Sequence, residues 1–175
     1  MHGISIAYNP RHILQLPRST RLTPAPELVN LHTAFHQAQY AKVLSFDTTA
    51  LSPSNALPAR ILKLRAQIAL QHYDDVLSDI AGEEDAVPDL AAAGVLARWS
   101  QSQASGSDDG AALDEAARLA ARERDNPSVQ LLCGTVLAGA GRYDEALGLL
   151  GRHQGSLDAC VLRFSHARPE WSNSG

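Results

Sequence analysis

The chain has 175 residues, 45% of them hydrophobic and only 5% aromatic, with 19% charged and a formal net charge of −4. That length suits one domain whose core is packed mainly by Leu and Ala, and the mixed charges show no basic stripe for nucleic acid. Cys133 and Cys160 make neither a CxxC pair nor a disulfide framework, which fits a reducing compartment. The longest uncharged run, 126–141, contains Pro127 and three glycines and is too short to span a bilayer.

The first element in chain order is an extension over residues 1–24. It carries Arg11, Arg18 and Arg21 and has no acid before Glu27. An acid-free, Arg-bearing start is one mark of a targeting peptide, but Pro10 and Pro17 interrupt the amphipathic helix such a peptide needs. The expected reading is a disordered or mis-assigned extension.

Four helical patterns follow. "PELVNLHTAFHQAQ" puts Leu28, Leu31, Phe35 and Ala38 on one face, and "ALPARILKLRAQIALQ" does the same with Leu57, Ile61, Leu64 and Ile68. "PDLAAAGVLARWSQS" offers Leu90, Ala93, Leu96 and Trp99, and "NPSVQLLCGTVLAGA" offers Val129, Leu132, Val136 and Ala140. Steps of three and four predict helices, and no segment reads as a strand. Pro58, Pro88 and Pro127 are expected in first helical turns, with Asn126 capping the last helix.

Each pattern is followed by a short motif that begins with Tyr40, Tyr73, Leu113 or Tyr143. Tyr40 to Tyr73 is 33 residues and Tyr73 to Tyr143 is 70, so one further unit belongs between them. The polar stretch "QSQASGSDDG", 101–110, is expected to account for the uneven phase of Leu113. A helix, a turn and a helix recurring with a period near 34 is the tetratricopeptide signature. In that arrangement the tyrosine opens the second helix and lays its ring on the first. Val43, Val76, Ala116 and Ala146 then sit at the close helix crossing, and the following residue, Leu in three of the four motifs, enters the layer between repeats. Asp74, Asp75, Asp114, Glu115, Asp144 and Glu145 fall in first turns, where they favour the helix dipole and need no catalytic role. Gly134 is expected at a close approach of two helices and Gly141 at a turn.

The expected fold is therefore all-α: an α-solenoid of about four tetratricopeptide-like hairpins over 27–155, wound as a right-handed superhelix. The repeat domain is placed at 25–160, followed by an atypical tail, 161–175, without repeat pattern. Residues 1–24 and 165–175 are expected to be disordered. A solenoid stopping there exposes Leu147, Leu150 and Leu157 as an apolar edge, which would leave the chain marginally stable.

"ELVNLHTAFHQAQYAKVL" (27–44), "ARILKLRAQIALQHYDDVLSDI" (59–80), "PDLAAAGVLARW" (88–99) and "RHQGSLDAC" (152–160) occur in this order. In that order and spacing the chain resembles the coatomer epsilon subunit family, the helical-repeat subunits of the COPI coat. Ala38 departs from the pattern, standing where such a turn often has Gly, and the family continues into further hairpins beyond this junction. The resemblance implies a non-catalytic structural subunit in retrograde Golgi-to-ER and intra-Golgi transport. It also implies the coatomer alpha subunit as direct partner, and a place in the cytoplasm, peripheral on Golgi membranes and COPI vesicles.

Other chemistries find little support. His32 and His36 lie four apart on one helix, but no acid or Cys joins them at the spacing of a closed zinc site. Cys133 reads as a small core residue, and Trp99 as packing within or between repeats. "GAGRYD" joins two helices and follows no strand, so it is not a phosphate cradle. No G-x-S-x-G elbow or catalytic triad is present. No catalytic, cofactor-binding or metal residue is assigned, and no cofactor, small-molecule substrate or nucleic-acid partner is expected. The alternative function is a tetratricopeptide adaptor or co-chaperone that clamps peptide carboxylates. It would need cations converging on the groove, and the chain has only Lys42 and Lys63 besides scattered arginines.

Overall fold

The computed structural model describes residues 25–107, 110–153 and 157–166. All regular structure among them is helical: α1 (Ala25–His36), α2 (Tyr40–Leu44), α3 (Pro53–Ala69), α4 (Tyr73–Ile80), α5 (Pro88–Ser105), α6 (Gly110–Arg122), α7 (Pro127–Gly139), α8 (Tyr143–Leu150) and α9 (Leu157–His166). Consecutive helices pair as hairpins. The first helices α1, α3, α5, α7 and α9 also pack one on the next, as in an α-solenoid. The described residues contain no helix long and apolar enough to cross a membrane.

One turn is used four times. The N–H of Ala38 bonds to the carbonyl of Phe35 and that of Gln39 to Ala34, both at 2.9 Å. The same two bonds join Gln71 to Ile68 and His72 to Gln67, Gly106 to Gln103 and Ser107 to Ser102, and Gly141 to Ala138 and Arg142 to Leu137. This is the Schellman motif, which satisfies the last carbonyls of a helix by placing one residue in the left-handed region. Ala38, Gln71, Gly106 and Gly141 hold that place, with φ of 55°, 64°, 65° and 80°. Three of the second helices start two residues later, at Tyr40, Tyr73 and Tyr143.

Measured on these turns the period is even, at 33, 35 and 35 residues. Only the first part of the expected insertion at 101–110 is regular helix: α5 continues through Ser105, and α6, at 13 residues, is longer than the other second helices. Because α6 opens at Gly110, Leu113, Asp114 and Glu115 stand beyond the position expected of them, and α6 has no acid in its first turn. Pro58 is likewise not in a first turn. α3 begins at Pro53, which takes the helix-start role, and Pro58 lies inside the helix.

The crossing residues behave as the motif predicts. Val43, Val76, Ala116 and Ala146 are all fully buried. Gly134 lies at a close approach of two helices, where a Cβ would stand 3.1 Å from Cγ and Cδ2 of Leu150, tighter than ordinary contact. Trp99 of α5 covers Gly139 of α7 so closely that a Cβ would collide with the indole, so Trp99 is packing between repeats. α3 divides the core. Its Ala59, Leu62 and Ala66 join Leu28, Leu31, Ala34 and Val43 in a small cluster, while Ile61, Leu64 and Ile68 join a larger one running through α8.

The far end differs from the expected one. Leu150 is fully buried rather than an edge residue, and Leu147 is half-buried. α9 packs against α7 and α8 in the position of a fifth first helix, so the expected repeat boundary at 160 falls inside it. Of the residues expected to be disordered, 165 and 166 instead close α9, because its helical pattern runs on, while 1–24 and 167–175 lie outside the described residues.

Candidate interaction surface

The first helices are tied to each other by acids in their first turns. Glu27 of α1 accepts from the N–H and Oγ of Ser52, at 3.0 and 2.9 Å, and from Nδ2 of Asn55, at 2.8 Å, at the start of α3. Asp89 of α5 repeats the device with α7: its carboxylate accepts from Nδ2 of Asn126 at 2.8 Å and from Oγ of Ser128 at 2.5 Å. Asn126 Oδ1 in turn caps α7, accepting from the N–H groups of Ser128 and Val129. These bonds satisfy helix-start donors and buried amides, since Asn55 is almost wholly buried. Those on Glu27, from Asn55 first and then Ser52, hold its carboxyl below the ordinary 4.5.

Asp158, in the first turn of α9, does something else. Its carboxylate reaches back over the row of first helices to Nη1 of Arg65 on α3, at 2.9 Å, and to Nε2 of His36 on α1, at 3.3 Å. The guanidinium of Arg65 also lies over the ring of Phe35, 4.4 Å from its centroid, and Phe35 meets Tyr40 edge to face. Beside this pair is a cavity of about 290 Å³ whose walls come from α1, α3, α5, α7 and α9. Leu57, Ile61 and Leu131 supply apolar wall; His32, Arg65 and Asp158 supply polar wall. The rings of His32 and His36 are stacked 6.2 Å apart. His32 is exposed yet lines the groove, and partial desolvation there pushes its pKa below 6.5 against the opposing charge of Asp158.

The groove offers one guanidinium, the imidazole of His32, an apolar wall and the row of first helices at 25–36, 53–69, 88–105 and 127–139. Read from the sequence, the candidate contact surface is the polar side of helices around 27–39, 57–71, 88–103 and 127–140, close to these bounds. The sequence does not single out Arg65 or Asp158, because nothing local in "LKLRAQ" or "GSLDAC" marks a contact 93 residues long. The available signal was the spacing of Leu157, Cys160 and Val161, which continues a helical pattern beyond the fourth hairpin. Cys133, within α7, is buried, and burial pushes its thiol up to about 12, so it is an inert core group. No group of three His, Cys, Asp or Glu among the described residues could hold a metal ion.

A model of the family described as coatomer epsilon subunit matches residues 25–165, from the start of α1 nearly to the end of α9. No curated protein and no solved structure matches the chain.

Proposed function

The chain belongs to the coatomer epsilon subunit family, the structural subunits of the COPI vesicle coat, and on that premise we propose that it holds a segment of the coatomer alpha subunit on the face formed by its first helices. The hairpins wind as a right-handed superhelix with that face inward, the usual binding surface of such arrays. The role is non-catalytic. Through the alpha subunit the protein joins the coat on the cytoplasmic face of Golgi membranes and COPI vesicles, in retrograde Golgi-to-ER and intra-Golgi transport. The repeat domain extends to the end of α9 at His166.

The observation that carries this reading is the cavity on which five first helices converge, with apolar and polar walls side by side. A peptide adaptor that clamps chain-terminal carboxylates is less well supported, because Arg65 is the one Lys or Arg among the described residues lining that cavity. The test is co-purification of this chain with the C-terminal domain of the coatomer alpha subunit. Retention of a one-to-one complex through gel filtration is the expected result, and failure to associate at micromolar concentrations would reject the alpha subunit as partner.

A further inference from the structure

Resting on that reading of the first-helix face, we propose that the Asp158–Arg65 pair is a latch across the groove, and that Arg65 is a carboxylate anchor which the bound partner segment takes over from Asp158. The two side chains are only 18% and 17% exposed, at 2.9 Å, on the wall of the cavity. A guanidinium that far from water needs an anion, and removing its partner is costly unless another carboxylate replaces it. Arg65 would stay in place during such an exchange, because the Phe35 ring holds it at 4.4 Å.

The other acids on this face are committed. Asp89 is engaged by Asn126 and Ser128, and Glu27 by Ser52 and Asn55. Within the described part of the groove, the anion at Arg65 is therefore either Asp158 or a carboxylate arriving with the partner. The adjacent wall of Leu57, Ile61 and Leu131 specifies the rest of the occupant. It is an extended segment with an Asp or Glu next to a large apolar side chain, the carboxylate on the Arg65 fork and the apolar group in the cavity. His36, 3.3 Å from Asp158, supplies a second donor to whichever carboxylate is present.

The test titrates the alpha subunit's C-terminal domain onto the full chain and onto its D158N, R65Q and doubly substituted forms, with amide hydrogen exchange of α9 followed in the free proteins. D158N should bind several-fold more tightly than the parent and R65Q several-fold more weakly. Exchange at 158–162 should be several-fold faster in D158N, and adding D158N to R65Q should change it no further. Equal or weaker binding by D158N overturns the exchange of carboxylates. Unchanged amide exchange overturns the latch. If none of the forms binds the domain, the coatomer partner and the anchor role fall together, and the latch is then decided by exchange alone.

Discussion

The first hairpin, α1 with α2, and the fourth, α7 with α8, reverse the chain through the same pair of hydrogen bonds but are supported differently. At the left-handed position the fourth has Gly141, for which a positive φ is free of steric cost, and the first has Ala38. The fourth hairpin belongs to the large cluster, its Leu150 seated on Gly134 and α9 packed over its end. The first has its own small cluster, a second helix of five residues, and a Phe35 that is only half-buried beneath Arg65. The turn is thus dictated by the need to satisfy terminal carbonyls, and glycine is an accommodation to it rather than its cause. The strained and lightly packed hairpin is also the one that meets Asp158 across the groove.

The contrast can be broken most severely in the fourth hairpin. Leu150→Ala empties a fully buried site above Gly134 and should cost about 2–5 kcal/mol in urea melts, the range for buried Leu truncations. A loss below about 1 kcal/mol would mean that α9 does not seal that end and that Leu150 behaves as an edge residue.

A smaller pair of substitutions sharpens the comparison by sign. Gly141→Ala forces a Cβ into the left-handed region and should destabilise by about 1–2 kcal/mol. Ala38→Gly relieves the same strain and should stabilise by up to about 1 kcal/mol after the added entropy of the unfolded chain, read as a higher melting temperature. Two changes of the same sign would show that the turns are not equivalent.

The smallest effect is in acid. The bonds from Asn55 and Ser52 lower the pKa of Glu27 in the folded state, so the unfolded state binds its proton more tightly. That contribution is present above the ordinary value of 4.5 and is lost as pH falls through the lower folded value. Glu27→Gln should flatten this acid limb of the stability curve, and an unaltered limb would place the acid sensitivity elsewhere.

Much of the hairpin geometry is legible from residues close in sequence. Tyr40, Tyr73 and Tyr143 start second helices, and Val43, Val76 and Ala146 fill the crossings, because a period of three and four fixes both from local spacing. Tyrosine burial is less uniform than its recurrence suggests: Tyr73 is half-buried and Tyr143 is 37% exposed, so neither ring is a full core anchor. The phase of the third unit was misread because the turn at Gly106 is silent in an alignment on tyrosines. Pro58 misled because proline marks helix starts only on average, and here Pro53 had already taken that place. The groove is the least legible part. Its defining contact joins residues 65 and 158, and a tertiary ion pair leaves no trace in the spacing of either segment.

The central claim is that the partner lies on the face of the first helices. A photo-crosslinking side chain placed at His32, on the groove, and separately at Asp144, on the exposed side of α8, tests it in the mixture with the alpha subunit's C-terminal domain. The account predicts a crosslinked product from position 32 and none from position 144. Crosslinking from 144 with none from 32 would put the partner on the second helices and contradict it.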